Sequence, residues 1–217
     1  MKVLAMIPAR GGSKRIPKKN IKSFLEKPII SYSIETAISS KIFTEVIVST
    51  DNKQIIEISK QYGASVPFIR SEENSNDKAT TFDVIFEVIN KYKKLGIEFD
   101  YTCCLYPCAP LITKKIIKES FKKLLNDKLD CVFPIVKYSH PIQRALKISN
   151  GKLKMIDELN LHTRTQDLME RFHDAGQFYF FKTDILLSKK KLITDNTGFV
   201  KLREMESQDI DNYDDWK

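Results

Sequence analysis

From Ala9 to Asn20 the chain reads A-R-G-G-S-K-R-I-P-K-K-N, with Arg10, Lys14, Arg15, Lys18 and Lys19 gathered around two adjacent glycines. Consecutive glycine N–H groups form an anion-binding concavity, and Gly11 and Gly12 let a phosphate approach without a side chain in the way. The cations suit a triphosphate. At about 4 Å one charge pair contributes about 4 kcal/mol at an effective dielectric near 20, before desolvation is subtracted. Neither common phosphate loop is present. A Walker loop has glycine before its Lys-Ser/Thr pair, a dinucleotide fingerprint has G-x-G-x-x-G, and this stretch has only Gly11-Gly12 with Ser13 before Lys14. A second group stands near the far end of the sequence. Asp209 and Asp211 are two residues apart, so in an extended segment they face one side and can share a hard cation such as Mg²⁺. A phosphate-holding loop and a metal-holding carboxylate pair are together what nucleotidyl transfer requires.

Composition narrows the partners. The formal net charge of +8 favours anionic ligands. Much of the excess is lysine on expected helix faces, including Lys91, Lys93, Lys94, Lys114, Lys115, Lys122 and Lys123, which a solvated face explains. No RNA-recognition or helix-turn-helix signature and no interleaving of aromatic and basic residues is present, so no nucleic-acid partner is expected. No apolar run approaches the roughly 20 residues of a membrane span, and the opening M-K-V-L-A-M-I-P-A reads as a buried strand rather than a leader. No membrane partner and a cytoplasmic location are expected. Cys103, Cys104, Cys108 and Cys131 sit in apolar surroundings without a zinc spacing, and read as free buried thiols.

These groups need elements to hold them. Val3–Pro8 is the first expected strand, followed by a helix over residues 28–40 with Pro28 in its first turn. Residues 45–51 form a second strand, and Asp51 is placed to cap the helix that Gly63 ends. S-V-P-F-I at 65–69 is a third, short strand. A helix over 82–95, a strand at 100–107, a helix over 113–126 and a strand at 130–136 follow. This alternation predicts an α/β fold with a Rossmann-like, mostly parallel sheet flanked by helices. Such sheets bind ligands beyond the carboxyl ends of their strands, where each polar cluster falls. After residue 138 the rhythm changes to a β-hairpin turning at Asn150-Gly151, within an excursion over about 138–172. A strand, G-Q-F-Y-F-F-K, and an acidic end carrying Trp216 close the chain. No repeat or linker interrupts it, so residues 1–217 are expected to be one domain.

The motifs in order, P-A-R-G-G-S-K-R-I-P-K-K-N, I-S-Y-S-I-E-T-A, V-I-V-S-T-D-N, Y-G-A-S-V-P-F-I-R, L-Y-P-C-A-P-L and Q-D-I-D, resemble the CMP-sialic acid synthetase family over essentially the whole chain. The A-R-x-x-S-K-x-x-P-x-K-N loop is specific to it. The resemblance implies the nucleotide-diphospho-sugar transferase type of fold and a reaction in which CMP passes from CTP to the anomeric hydroxyl of a nine-carbon 2-keto sugar acid. Pyrophosphate leaves, and Mg²⁺ is required. By the same resemblance Ala9, Arg10, Gly11, Gly12, Ser13, Lys14, Asn20, Arg70, Asp77 and Thr81 bind the nucleotide. Lys19, Asp209 and Asp211 are catalytic, with the two aspartates on the metal, and Tyr106, Gln143, Arg164, Gln166 and His173 face the sugar. It also implies a homodimer in which the excursion of one subunit reaches the other. Tyr106 stands where sialic-acid enzymes carry glutamine, Gln143 where some carry lysine, and Ala175-Gly176 replaces an N-G. These departures lie on the sugar side. They imply a different nonulosonic acid. C-C-L-Y-P-C-A-P, H-P-I-Q-R-A-L, H-D-A-G-Q-F-Y and Q-D-I-D-N-Y-D-D-W look most similar to the members that act on pseudaminic acid, with legionaminic acid, N-acetylneuraminic acid and KDO as alternative acceptors.

Overall fold

In the computed structural model, which describes residues 1–217, the first strand fixes the centre of the molecule. Along β1 (Val3–Pro8) Val3, Ala5 and Ile7 pack to one face and Leu4 and Met6 to the other, all fully buried. A strand apolar on both faces must be covered by helices on both sides. A two-residue ribbon, β2 (Ser23–Phe24) with β3 (Lys27–Pro28), leads into α1 (Ile29–Ser40). Then come β4 (Glu45–Ser49), α2 (Lys53–Gln61), α3 (Thr81–Lys94), β5 (Tyr101–Leu105), α4 (Lys114–Asn126) and β6 (Cys131–Lys137). The hairpin is β7 (Leu146–Ser149) with β8 (Lys152–Met155). The chain finishes with β9 (Phe172–Asp174), β10 (Phe178–Lys182), α5 (Thr183–Lys189), β11 (Thr197–Leu202) and α6 (Tyr213–Trp216).

The main sheet runs β11-β6-β10-β5-β1-β4, with β9 added to β6. β1 is parallel to β4 and β5, and β11 to β6, while β10 and β9 run against their neighbours. The expected mostly parallel sheet is therefore present, with an antiparallel strand inserted between β5 and β6. One face is sealed by Ile30, Ile34 and Ala37 of α1 and Ile117, Phe121 and Leu124 of α4; the other by Val84, Ile85, Val88, Ile89 and Tyr92 of α3. Cys103 and Cys104 fall on opposite faces, and all four cysteines are free.

Several local expectations are corrected. Asn52, not Asp51, caps α2, its Oδ1 accepting from Gln54 N and Ile55 N. Pro28 belongs to β3 and precedes α1 rather than standing in its first turn. Residues 65–69 form no strand and only two isolated bridges, Ile47 to Ser65 and Thr50 to Ile69, because Pro67 between them has no N–H to donate. The hairpin turns as expected at Asn150 (φ 52°) and Gly151 (φ 72°), the pair of positive φ values of a type I′ turn.

Candidate nucleotide site

The carboxyl ends of β1, β4 and β5 open into one pocket of about 310 Å³. Pro8 ends β1 at its floor, and the loop after it supplies Arg10, Ser13, Lys14, Arg15, Lys19 and Asn20 to the wall. Arg70, Thr81 and Tyr106 line the opposite side, and Asn74, Asn76 and Asp77 form a rim. Ten residues singled out in the sequence, spread from Arg10 to Tyr106, thus converge on one cavity.

Two buried polar side chains give the pocket its shape. Asn20 donates its Nδ2–H to the Arg10 carbonyl at 2.9 Å and accepts from the Cys108 thiol at 3.3 Å, so it ties the loop to the chain beyond β5. Arg70 gives its Nε–H to Ser49 Oγ at 3.1 Å and an Nη2–H to the Ser49 carbonyl. Burial lowers its pKa to about 10, with Asp51 and Glu87 opposing the shift. A guanidinium held at its inner edge on the end of β4 and facing the pocket with its outer edge is suited to an anion.

The glycines behave differently from each other. Gly11 donates its N–H to Asp51 Oδ1 at 2.8 Å, and a Cβ at position 11 would lie 2.9 Å from Asn52 Nδ2. The absence of a side chain there therefore lets the loop pack on the β4–α2 turn. Gly12 has open space around it. Ala9 is buried and donates its N–H to the Ser49 carbonyl at 2.9 Å, so it anchors the loop without lining the pocket. Lys18 also lies outside the lining and takes a left-handed conformation (φ 54°), which reduces the loop's contribution to four cations, with Arg70 as a fifth from another element.

The far end of the chain packs against the loop, and neither Asp209 nor Asp211 lines the pocket itself. Ile210 is buried against Ile16 and Ile29, and Trp216 packs edge-on against Phe24 with ring centroids 5.9 Å apart. Lys19 Nζ donates to the Ile210 carbonyl at 2.5 Å, between the two aspartates in sequence. Arg15 pairs with Asp211 Oδ1 at 2.8 Å. Asp215 Oδ2 accepts from the N–H groups of Asp211 and Asn212 at 2.8 and 2.9 Å, which turns the chain so that Asp211 faces the loop. Asp209 lies against Gly176 and has no cation within salt-bridge distance. Its pKa is raised, first by burial of its inner side and next by the charge of Asp211, with Lys19 opposing. A raised, unpaired carboxylate beside a second one is a donor set that fits a hard divalent cation.

The remaining sugar-side residues are elsewhere. Gln143 donates its Nε2–H to the Met169 carbonyl at 2.7 Å, Arg164 pairs with Asp167 at 2.6 Å, and the His173 ring lies tilted against Tyr138, centroids 4.9 Å apart, with its Nδ1 2.9 Å from the Asp174 carbonyl. Gln166 lines a separate cleft of about 370 Å³ beside Tyr138 and Arg171. None of these four lines the nucleotide pocket of the same chain. Asp51, Asn74, Asn76 and Asp215 entered no expectation for the site. Only Asp215 left a local signal, the N-x-x-D capping box of Asn212–Asp215.

A phosphate-sized basic pocket at the carboxyl ends of parallel strands, beside a carboxylate pair, defines a nucleotide-binding α/β protein equipped for group transfer. The chain belongs to the cytidylyltransferase family, whose model matches residues 4–210. It is 41% identical to a pseudaminic acid cytidylyltransferase of Campylobacter jejuni over 216 residues, 99% of this chain and 93% of that protein. It is 30% identical to the CMP-N,N'-diacetyllegionaminic acid synthase of Legionella pneumophila, covering 100% of this chain and 94% of that one. The fold matches the solved structure of a CMP:2-keto-3-deoxy-manno-octonic acid synthetase complexed with CTP, with a TM-score of 0.73 at 18% identity, over 99% of this chain and 95% of that one.

Proposed function

We propose that the chain transfers CMP from CTP to the anomeric hydroxyl of pseudaminic acid and releases pyrophosphate. The observation that carries this reading is the 41% identity, over nearly the full length of both chains, to a protein named for that activity. The pocket supports it residue by residue. Arg10 and Lys14 would hold the outer phosphates, Arg70 and Thr81 the body of the nucleotide, and Lys19 the charge that builds on the departing oxygen. Tyr106, hydrogen-bonded to Thr81 at 3.3 Å, would separate nucleotide from acceptor.

Asp209 and Asp211 would hold Mg²⁺, which when bound supplies Lewis-acid neutralisation of the attacked phosphoryl group. The protein's own part is to hold the two carboxylates beside the loop. Arg15 pairs with Asp211, and Asp215 and the Ile210 anchor turn and fix the chain there.

The same reading includes a homodimer. On the hairpin, Leu146, Ile148, Leu153 and Met155 share one face, Ile148 opposite Leu153 and Leu146 opposite Met155. Leu146, Ile148 and Leu153 are 56%, 78% and 67% exposed, which leaves an apolar face that a second copy would cover. Such docking offers Gln143, Arg164, Gln166 and His173 to the partner's pocket, and supports their assignment to the sugar. The cellular location we propose is the cytoplasm; no helix is long and apolar enough to cross a membrane.

Pyrophosphate release with CTP and Mg²⁺ against pseudaminic, legionaminic, N-acetylneuraminic and 2-keto-3-deoxy-manno-octonic acids tests the reading. Release with pseudaminic acid alone is expected. Release with legionaminic acid alone would move the acceptor to the second reading that the Legionella relative supports. Failure to bind CTP would overturn the reaction itself.

A further inference from the structure

Asp77 already occupies the cations that a polyphosphate needs. Its Oδ1 pairs with Arg10 Nη1 at 2.7 Å and its Oδ2 accepts from Lys14 Nζ, both of which line the pocket. The two ion pairs hold the Asp77 carboxyl below the usual carboxylate range, Lys14 contributing most and Arg10 next. Two anionic oxygens spread across two cations reproduce what a phosphate group presents to the same pair.

The segment that carries Asp77 is built to let go. Upstream, Ser71 and Asn74 are fixed on Glu87 of α3 at 2.6–2.9 Å. Downstream, Thr80 and Asp83 form the capping box of α3. Between these anchors Asn76 folds on itself, accepting from Lys78 N and Ala79 N and donating to the Glu73 carbonyl. From Asn76 to Ala79, the hydrogen bonds and ion pairs that reach beyond this segment's own turn are those of Asp77 with Arg10 and Lys14. It is a strap held at both ends and fastened once in the middle.

We infer that Asp77 is an internal competitor for the phosphate site, a fastening that the polyphosphate must displace on entry and that retakes Arg10 and Lys14 when pyrophosphate leaves. The inference rests on the polyphosphate reading of the pocket. No covalent step is involved. A closed fastening reduces the apparent affinity of every ligand that needs both cations by one common factor, and leaves untouched a ligand that needs neither. Anions too weak to open it are kept off the site at ordinary concentrations. Because each exposed ion pair contributes at most about fivefold, the common factor is about 3- to 20-fold.

Titration calorimetry with EDTA present tests this on wild type, Asp77→Asn and Asp77→Ser, with CTP, inorganic tripolyphosphate and cytidine as ligands. Both variants should bind CTP and tripolyphosphate more tightly, by the same factor of about 3 to 20, with cytidine unchanged. Equal or weaker CTP binding by both variants would overturn the inference, since Asp77 would then be ordering the cations for the ligand rather than competing with it. A tightening shared by cytidine would overturn it too, because the effect would not act through Arg10 and Lys14. Wild type that binds neither CTP nor tripolyphosphate would instead overturn the polyphosphate reading.

Discussion

Asp209→Asn separates the cost of the carboxylate pair from its use. A carboxyl whose pKa is raised by folding, as that of Asp209 is, destabilises the fold at neutral pH. The loss is absent while the group is protonated in both states, and develops as pH climbs through the unfolded value and then the raised folded one. Carboxylates two residues apart lie within about 7 Å, where like charges repel by about 0.6 kcal/mol in bulk water and about 2.4 kcal/mol at an effective dielectric of 20. Asp209 is exposed on its outer side and Arg15 partly neutralises Asp211, so the lower half of that range applies, about 1 kcal/mol. In a chain of this size such a gain raises Tm by about 2–4 °C. Scanning fluorimetry in EDTA near neutral pH should therefore show Asp209→Asn melting above wild type, with the difference closing as pH falls through the raised folded value and then the ordinary carboxylate value of about 3.9. Adding Mg²⁺ should reverse the order, because a site filled at about 100 times its Kd stabilises by about 2.7 kcal/mol in wild type alone. Pyrophosphate release should be lost in the variant throughout. A lower Tm for the variant in EDTA would refute the repulsion, and equal stabilisation of both proteins by Mg²⁺ would refute the metal assignment.

Lys19→Met should lower kcat for pyrophosphate release by about 10²- to 10³-fold, the usual cost of removing one donor from developing charge, with a smaller change in CTP affinity. Gly11→Ala should lower Tm by about 2–4 °C, because a Cβ 2.9 Å from Asn52 Nδ2 dislodges the cap of α2, worth about 1 kcal/mol. Gly12→Ala, with no atom within 4 Å of its added carbon, should melt with wild type; equal losses at both positions would contradict the packing of Gly11. Ile148→Lys combined with Leu153→Lys should shift the mass measured by light scattering from dimer to monomer with the circular dichroism spectrum unchanged, and an unaltered mass would place the subunit contact elsewhere.

Elements with a strong pattern were legible. β1 is an unbroken apolar run, α3 carries its capping box at Thr80–Asp83, and α4 begins at the Thr113 cap, so their ends fall where the residues put them. At the sheet's margins β4 was legible and β11 was not. β11 is an edge strand whose residues range from buried Gly198 to exposed Phe199, and its register is set by β6 rather than by its own pattern. Within the site, residue type revealed which groups could bind an anion but not which were already engaged. Asp51 and Asn52 are adjacent acceptors, and either can cap a helix. Only the approach of the glycine loop decides that Asp51 takes the Gly11 N–H and leaves α2 to Asn52.

The carboxylate pair makes the same point over a longer distance. Nothing local to Asp209 and Asp211 directs them to the phosphate loop, from which they are separated by nearly the whole chain. Three contacts do so. Ile210 is buried between Ile16 of the loop and Ile29 of α1, its carbonyl receives the Lys19 ammonium, and Asp215 turns the chain just beyond. An apolar residue set between two aspartates thus acts as the anchor, and its burial holds two like charges close together in a place they would otherwise leave. The arrangement is costly without a cation and favourable with one. It follows that ordering of the last nine residues should depend on what the pair holds, while the sheet beneath, whose core owes nothing to this end of the chain, should remain as it is.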